Sequence, residues 1–264
     1  VCGAAPRLAR HLARTPAVLD ALLDPAFLTV LPDRAETDAA FARALDEAAD
    51  YEAMLDAARR TAREQSFRVG FQLLRGVLGP EEVGAAYARV AESALIAVYR
   101  RVRTAFEAAH GRVEGGVFAI VAMGRLGAAK MTASSDLDLV FLYDHAAEAG
   151  PSDGASPLTP PVYFSRLSQR LIAALTAPTA EGKLYDVDMR LRPSGSKGPV
   201  AVRLETFETY QAEEAWTWER MALTRARLIA ADAGFAETVA AAIRRVLTRP
   251  ADAAKVRADA TAMR

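Results

Sequence analysis

The sequence is poor in the residues that most often announce chemistry. It has one cysteine and three histidines, and none of them falls in a pattern. The lone Cys2 has no partner within the chain, so no internal disulfide forms, which suits a reducing cytoplasm. No cluster of Cys and His offers a zinc site. His11, His110 and His145 are scattered, which leaves Ser134 and Ser135 without a histidine base nearby and makes them poor nucleophiles. Net charge is also missing. The 33 basic and 33 acidic residues cancel, so no global field draws in nucleic acid or an anionic membrane. No apolar run approaches the roughly 18 residues of a membrane-spanning helix. Arg7, Arg10, His11 and Arg14 interrupt any signal-peptide-like stretch at the start. What is plentiful is apolar surface: 52% of 264 residues, enough for one large domain or a domain with a helical annex.

The chain divides into three stretches. Residues 1–80 read as short helices with breaks, punctuated by Pro6, Pro16, Pro25 and Pro32 and continued by Tyr51, Met54, Leu55 and Ala58 at helical spacing. Residues 81–204 read as the core. It opens on a helix between Pro80 and Gly111, whose Val83, Tyr87, Val90, Ala94, Leu95, Val98, Val102 and Phe106 form one apolar stripe. The runs 117–123 and 137–143 are continuous and apolar, as in buried strands. Residues 146–161, rich in Pro, Ser and Gly, read as a mobile loop near the site mouth. A helix comes next, with Tyr163, Phe164, Leu167, Leu171, Ala174 and Leu175 on one side. Residues 184–191 alternate like a strand, with 199–204 as its hairpin partner across Ser194–Gly198. Residues 205–264 read as helical, broken near Gly234 and Pro250, with at least one of Trp216 and Trp218 in the core. The expected architecture is α+β: a small mixed sheet flanked by helices at both ends. The chain opens on Val1 and stops at Arg264 within a helical pattern, so it reads as part of a longer protein.

The chemical signal starts at Ser135-Asp136-Leu137-Asp138, at the head of an apolar strand. Strand residues two apart share a face, so Asp136 and Asp138 present two carboxylates side by side. Like charges that close repel, and a hard divalent cation such as Mg²⁺, bridging to phosphates, resolves the repulsion. Two solvated acids at a strand start are the plainer reading. Upstream lie Gly124, Arg125, Gly127 and Lys130. Glycines there let a backbone approach phosphates, and N–H groups at a following helix start can bind them; an ordinary strand-to-helix turn is the alternative. Ser134 and Ser135 suit phosphate or capping contacts. A second cluster is Asp188-Met189-Arg190-Leu191-Arg192-Pro193. On a strand, Asp188, Arg190 and Arg192 share one face. The acid can complete a metal site and accept a proton, and the guanidiniums can hold phosphate oxygens. A surface ion-pair ladder is the alternative, and Asp186 competes with Asp188.

Gly124, Ser135-Asp136-Leu137-Asp138 and the later Asp188 match the pattern of the nucleotidyltransferase superfamily typified by polymerase β. More closely, residues 123–144, 185–200, 210–232 and 8–25 resemble glutamine synthetase adenylyltransferase. The resemblance covers most of the chain and implies a polymerase β-like core, ATP as substrate, two Mg²⁺ ions on Asp136, Asp138 and Asp188, and glutamine synthetase as partner. A nitrogen-signalling regulatory protein is a further implied partner through the full-length enzyme. That family has one domain that removes AMP and one that adds it to a tyrosine. Met131-Thr132-Ala133 and Ser194-Gly195 look like the adding domain, while Ala128-Ala129-Lys130 departs from the usual pattern. The competing readings are phosphorolytic removal of AMP and a catalytically silent module that binds glutamine synthetase or a regulator. A nucleic-acid polymerase is disfavoured by the neutral charge. Neither a nucleic acid nor a membrane is expected as a partner.

Overall fold

The computed structural model describes residues 30–250 and 253–262. Pro6, Pro16 and Pro25, with the stretch 8–25, lie outside the described residues. The described chain forms two compact units, one of residues 30–99, 129–135 and 174–186, the other of residues 100–128, 136–173, 187–250 and 253–262.

The first unit is helical. Helix α1 (Arg34–Asp46) starts at Asp33, which accepts the Glu36 N–H at 2.8 Å, while Glu36 reaches back to the Asp33 N–H at 2.9 Å. Helix α2 (Tyr51–Leu74) starts at Asp50 in the same way, accepting from Ala53. The expected broken helices of this region are, over residues 51–74, one continuous helix. No proline occurs between Pro32 and Pro80, and Gly70 is buried and tolerated. Pro80 opens helix α3 (Pro80–His110) at its first turn, where a missing N–H costs nothing. All eight stripe residues of α3 are buried.

Arg59, 1% exposed, laces the 174–186 segment to α2. Its Nε–H donates to the Gly182 carbonyl at 2.6 Å, Nη1 to Leu55 at 2.7 Å and Nη2 to Ala177 at 2.5 Å. Burial lowers its affinity for the proton, but carbonyl oxygens on every side solvate the charge. Arg63 and Thr179 add further bonds, to Glu181 and Asp56.

The second unit is built on a five-stranded sheet. Strands β1 (Val117–Ala122) and β2 (Leu137–Asp144) pair antiparallel from Val117↔Asp144 to Ala122↔Leu139. Between them lies one helical turn, α4 (Gly124–Gly127). Helix α5 (Pro160–Thr176) comes after β2. Strands β3 (Val187–Asp188) and β4 (Ala201–Arg203) both lie parallel to β2 on its outer edge. The expected 184–191 strand and its hairpin are therefore corrected. Only two residues pair, and β3 and β4 do not pair with each other. Between them, Arg192 donates to the carbonyls of Met189 and Gly198, closing a compact loop with a 3₁₀ turn at Gly195–Lys197. Helices α6 (Leu204–Glu213) and α7 (Thr217–Leu223) come next. Strand β5 (Arg227–Ala231) then pairs antiparallel with β1, inside a stretch read as helical. Helices α8 (Phe235–Thr248) and α9 (Ala253–Ala262) complete the described chain.

Both sheet faces are covered, which is why β1 and β2 read as unbroken apolar runs. On one face Ala119, Val121, Val140 and Leu142 join Phe207 of α6 and Phe235, Val239 and Ala242 of α8 in a single core. On the other, Phe118 and Tyr143 stack with Phe164 of α5, and Phe118 also stacks with Phe141. Trp216 and Trp218 are 71% and 42% exposed, so neither joins this core. The 146–161 loop is held rather than loose. Asp153, Gly154 and Ser156 donate backbone hydrogen bonds to the carbonyls of Arg112, His110 and Ala109. It also leaves β2 at Asp144, the end of the strand opposite Asp138.

A charge network closes the end of α3. Arg103 bonds Glu107 at 2.6 Å and Asp232 at 2.5 Å, and Arg112 bonds Glu107 at 2.8 Å. Asp232 also accepts the Phe118 N–H at 2.8 Å, tying the end of β5 to the start of β1.

Both networks can be tested by stability measurements. Arg59→Met strands buried carbonyls and lowers unfolding free energy by roughly 3 kcal/mol or more in denaturant titration. Burial pushes the Glu107 carboxyl up, but hydrogen bonds and charge from Arg103 and Arg112 outweigh it and hold it below the ordinary range. A depressed carboxyl stabilises the fold above its unfolded value, about 4.3, and that contribution is lost as pH falls through the folded value. Glu107→Gln is therefore less stable than the parent chain at pH 7, and the gap narrows towards pH 3.

Candidate active site

The site is set by strand register. In the parallel pair of β2 and β3, Asp138 and Asp188 are direct partners. Register partners on parallel strands project to the same face, so the two carboxylates come from residues fifty apart in sequence to neighbouring positions. Asp136 lies just before β2 and is exposed, whereas Asp138 and Asp188 are half-buried.

The two central acids have different environments. Burial raises the Asp138 carboxyl above its usual range, and the charges of Asp136 and Asp188 raise it further. The Arg190 charge and a hydrogen bond from the Arg125 N–H act the other way without prevailing. Asp188 is held below its usual range, chiefly by Arg190, against the pull of its partial burial. Arg190 wraps it completely: the backbone N–H meets Oδ1 at 2.8 Å, and Nε and Nη2 meet Oδ2 at 2.8 and 2.5 Å. Arg192 is largely buried in its own loop and contributes charge towards Asp188.

The glycines of α4 bring backbone to this cluster. Gly124 has φ +51°, and a Cβ there would lie 2.0 Å from Asp138 Oδ2. Only glycine allows that approach, and it places the Arg125 N–H on the carboxylate. At Gly127 a Cβ would meet the Arg225 carbonyl at 2.0 Å, because the chain entering β5 crosses directly over the turn. Arg227 secures the crossing by donating to Leu126 O at 2.7 Å and Gly127 O at 3.1 Å. Sequence reasoning missed this brace. Its available signal is the alternation Arg225, Arg227 before Leu228-Ile229-Ala230.

Within the second unit the structure therefore gathers Gly124, Arg125, Gly127, Asp136, Asp138, Asp188, Arg190 and Arg192. Lys130, Ser134 and Ser135 belong to the first unit. There Ser135 Oγ accepts the Thr132 N–H at 2.9 Å, and Lys130 and Ser134 are exposed. Asp186, also in that unit, is exposed and paired with Lys183 at 2.6 Å. Among the described residues no three Asp, Glu, His or Cys side chains are drawn together as a ready-made metal cage. The donor chemistry still suits a hard cation. Asp138 is raised by burial first and by its neighbours' negative charge second, and all three side chains offer carboxylate oxygen.

A mixed sheet with two helical layers, an acid pair at one strand head and a glycine turn against it is consistent with a nucleotidyltransferase-like core. The chain belongs to the glutamate-ammonia ligase adenylyltransferase family, whose model matches residues 1–242. It is 53% identical over 262 residues to a bifunctional glutamine synthetase adenylyltransferase/adenylyl-removing enzyme of Xanthobacter autotrophicus, covering 99% of this chain and 26% of that protein. It is 49% identical over 264 residues to proteins of the same description from Mesorhizobium japonicum and Bradyrhizobium diazoefficiens. The match covers 100% of this chain in both, and 27% and 26% of those proteins. The chain thus spans about a quarter of the length of the curated relatives it matches.

Gly124→Ala tests the close approach. The added methyl forces the turn off Asp138 and strains a positive φ, at a cost of roughly 1–3 kcal/mol in denaturant unfolding. Ala128→Gly, one residue beyond the turn, costs less.

Proposed function

We propose that this chain transfers AMP from ATP to a tyrosine hydroxyl of glutamine synthetase, releasing pyrophosphate and so down-regulating nitrogen assimilation. The observation that supports it most is the Asp138↔Asp188 register pair, flanked by Asp136 and backed by the Gly124 turn. On this reading the sheet is a polymerase β-like core, and Asp136, Asp138 and Asp188 hold Mg²⁺, two ions by family resemblance. The metal supplies charge to neutralise the entering and leaving oxygens at the α-phosphorus.

The protein's own groups have separable tasks. Asp188, ionised throughout the neutral range, is suited to hold a cation beside the attacking hydroxyl and to accept its proton. Arg190 is exposed and bound only within its own acid's reach, so it can turn to phosphate oxygens when a cation takes its place on Asp188. Arg192, locked by Met189 and Gly198, steadies the loop and adds positive charge. Arg125 offers its N–H to Asp138 and leaves its exposed side chain for phosphate. Lys130, Ser134 and Ser135 are assigned to nucleotide contacts on their cation and hydroxyl chemistry and not on the resemblance, from which Ala128-Ala129-Lys130 departs. The working partner is glutamine synthetase, with a nitrogen-signalling regulator acting through the longer protein, and the compartment is the cytoplasm. No helix among the described residues is long and apolar enough to cross a membrane.

The family also contains the reverse chemistry, phosphorolysis of AMP from the modified enzyme. Phosphate is already anionic, so it needs cations, whereas a hydroxyl needs an acceptor for its proton. Met131-Thr132-Ala133 and Ser194-Gly195 favour the adding direction by resemblance.

Labelled ATP, Mg²⁺ and glutamine synthetase yield AMP-labelled enzyme with this chain, and AMP-modified enzyme with phosphate yields no ADP. Brisk ADP release without transfer reverses the direction. Asp136→Asn and Asp138→Asn each lower transfer by at least about a hundredfold. Asp138→Asn also unfolds at a slightly higher temperature in the metal-free chain, because a carboxyl raised in the folded state opposes folding at pH 7.

A further inference from the structure

An irregularity in the sheet brings Arg227 to the glycine turn. The β1–β5 ladder pairs Ala119 with Ala231 and Ile120 with Ala230, then Val121 with Leu228 and Ala122 with Arg227. Ile229 is passed over, so β5 gains one residue and its alternation reverses. An unbroken ladder would set Ala231, Ile229 and Arg227 on the face of Ala119 and Val121, which packs against α6 and α8. The shift instead sends Leu228 and Ala226 to that apolar face, where both pack, and turns Arg227 to the face of Ala122.

There the guanidinium meets the end of α4. Its Nη2–H donates to Leu126 O at 2.7 Å and its Nε–H to Gly127 O at 3.1 Å. The last carbonyls of a helical turn lack the N–H groups that a longer helix would supply, so a cation bonded to both steadies the turn and offsets its negative end. The turn is short and internally bonded. Its Gly127 N–H returns to Met123 O at 2.7 Å, and the Ala128 N–H to Gly124 O at 3.2 Å. Its first residue is Gly124, where a Cβ would lie 2.0 Å from Asp138 Oδ2. Two other supports act on the same turn. Leu126 is fully buried, and the Met123 N–H donates to Asp138 O at 2.8 Å. They fix its inner side and its start, while Arg227 acts at its end.

We propose that Arg227 is a positioning residue for the metal and nucleotide site, which holds the Gly124–Gly127 turn against Asp138 from strand β5. This rests on the reading of the site as one for ATP. Arg227 is not placed against substrate. It acts through the turn.

The test compares the parent chain with Arg227→Met, Arg227→Lys and Arg103→Met. The last cuts the ion pair to Asp232 just past the other end of β5, and so loosens the same strand away from the turn. Amide exchange is measured first, without nucleotide or metal. Exchange at Gly127 and Ala128 becomes roughly five- to tenfold faster in Arg227→Met, with β2 unchanged. MgATP then binds that variant about five- to tenfold more weakly. Arg227→Lys recovers part of both, because an ammonium lacks the planar fork that meets two carbonyls at once. It also reads the same two quantities if Arg227→Met folds poorly. Arg103→Met lowers the melting temperature and leaves turn exchange and MgATP affinity unchanged. Unchanged exchange at Gly127 and Ala128 overturns the proposal, as does unchanged MgATP affinity in a variant whose turn has loosened. An equal loss of affinity in Arg103→Met also overturns it, since the strand's general stability then accounts for the effect. Failure of the parent chain to bind MgATP at all speaks against the ATP reading, while the exchange result still decides whether Arg227 holds the turn.

Discussion

Asp138 and Asp188 stand opposite each other on parallel strands and face the same way, so folding forces together two charges that the unfolded chain keeps apart. The rest of the second unit makes that placement tolerable. Hydrophobic layers on both faces of the sheet hold β2 in register over its whole length. Arg190 neutralises one acid, and the Arg125 N–H, admitted by Gly124, solvates the other. The unit thus stores an excess of negative charge at one strand head, offset locally but not abolished. A site built that way has a ready demand for cations.

Much of this was legible in the residues. The α3 stripe, the two apolar runs and the Asp-x-Asp at the strand head follow from periodicity and burial, and each lies where the spacing predicts. Asp188 was legible as a candidate to join Asp136 and Asp138, but the strand pairing that brings it beside Asp138 was not. A two-residue strand has no alternation to detect, and its pairing with β2 is a tertiary fact. The same limit explains β4 and β5. Ala201–Arg203 was legible as a strand within 199–204 but its partner, β2, was not, while Arg227–Ala231 is too short to outweigh the helical patterns around it, and its strand character comes from the ladder it joins.

Composition misled in two places. A Pro-, Ser- and Gly-rich stretch suggests freedom, yet residues 146–161 turn their backbone N–H groups onto the end of α3 and are pinned there. Two tryptophans suggest core, yet α7 is capped at Trp216, and its buried positions are Glu219 and Leu223. In both cases local residue chemistry was read correctly and its surroundings were not: a polar segment found backbone partners, and large side chains were left facing solvent.

The edge of β1 that β5 covers has a consequence for how the chain is made. During synthesis β1 and β2 can pair early, because only α4 and a short connection separate them. The other edge of β1 then waits, with unpaired N–H and C=O groups beside an apolar face, until Arg227–Ala231 has left the ribosome. Through that interval the nascent chain presents a template for strand addition by any neighbouring polypeptide. A version cut short between α7 and β5 would keep every acid of the candidate site and yet be left with that edge open. Its weakness would be solubility rather than chemistry.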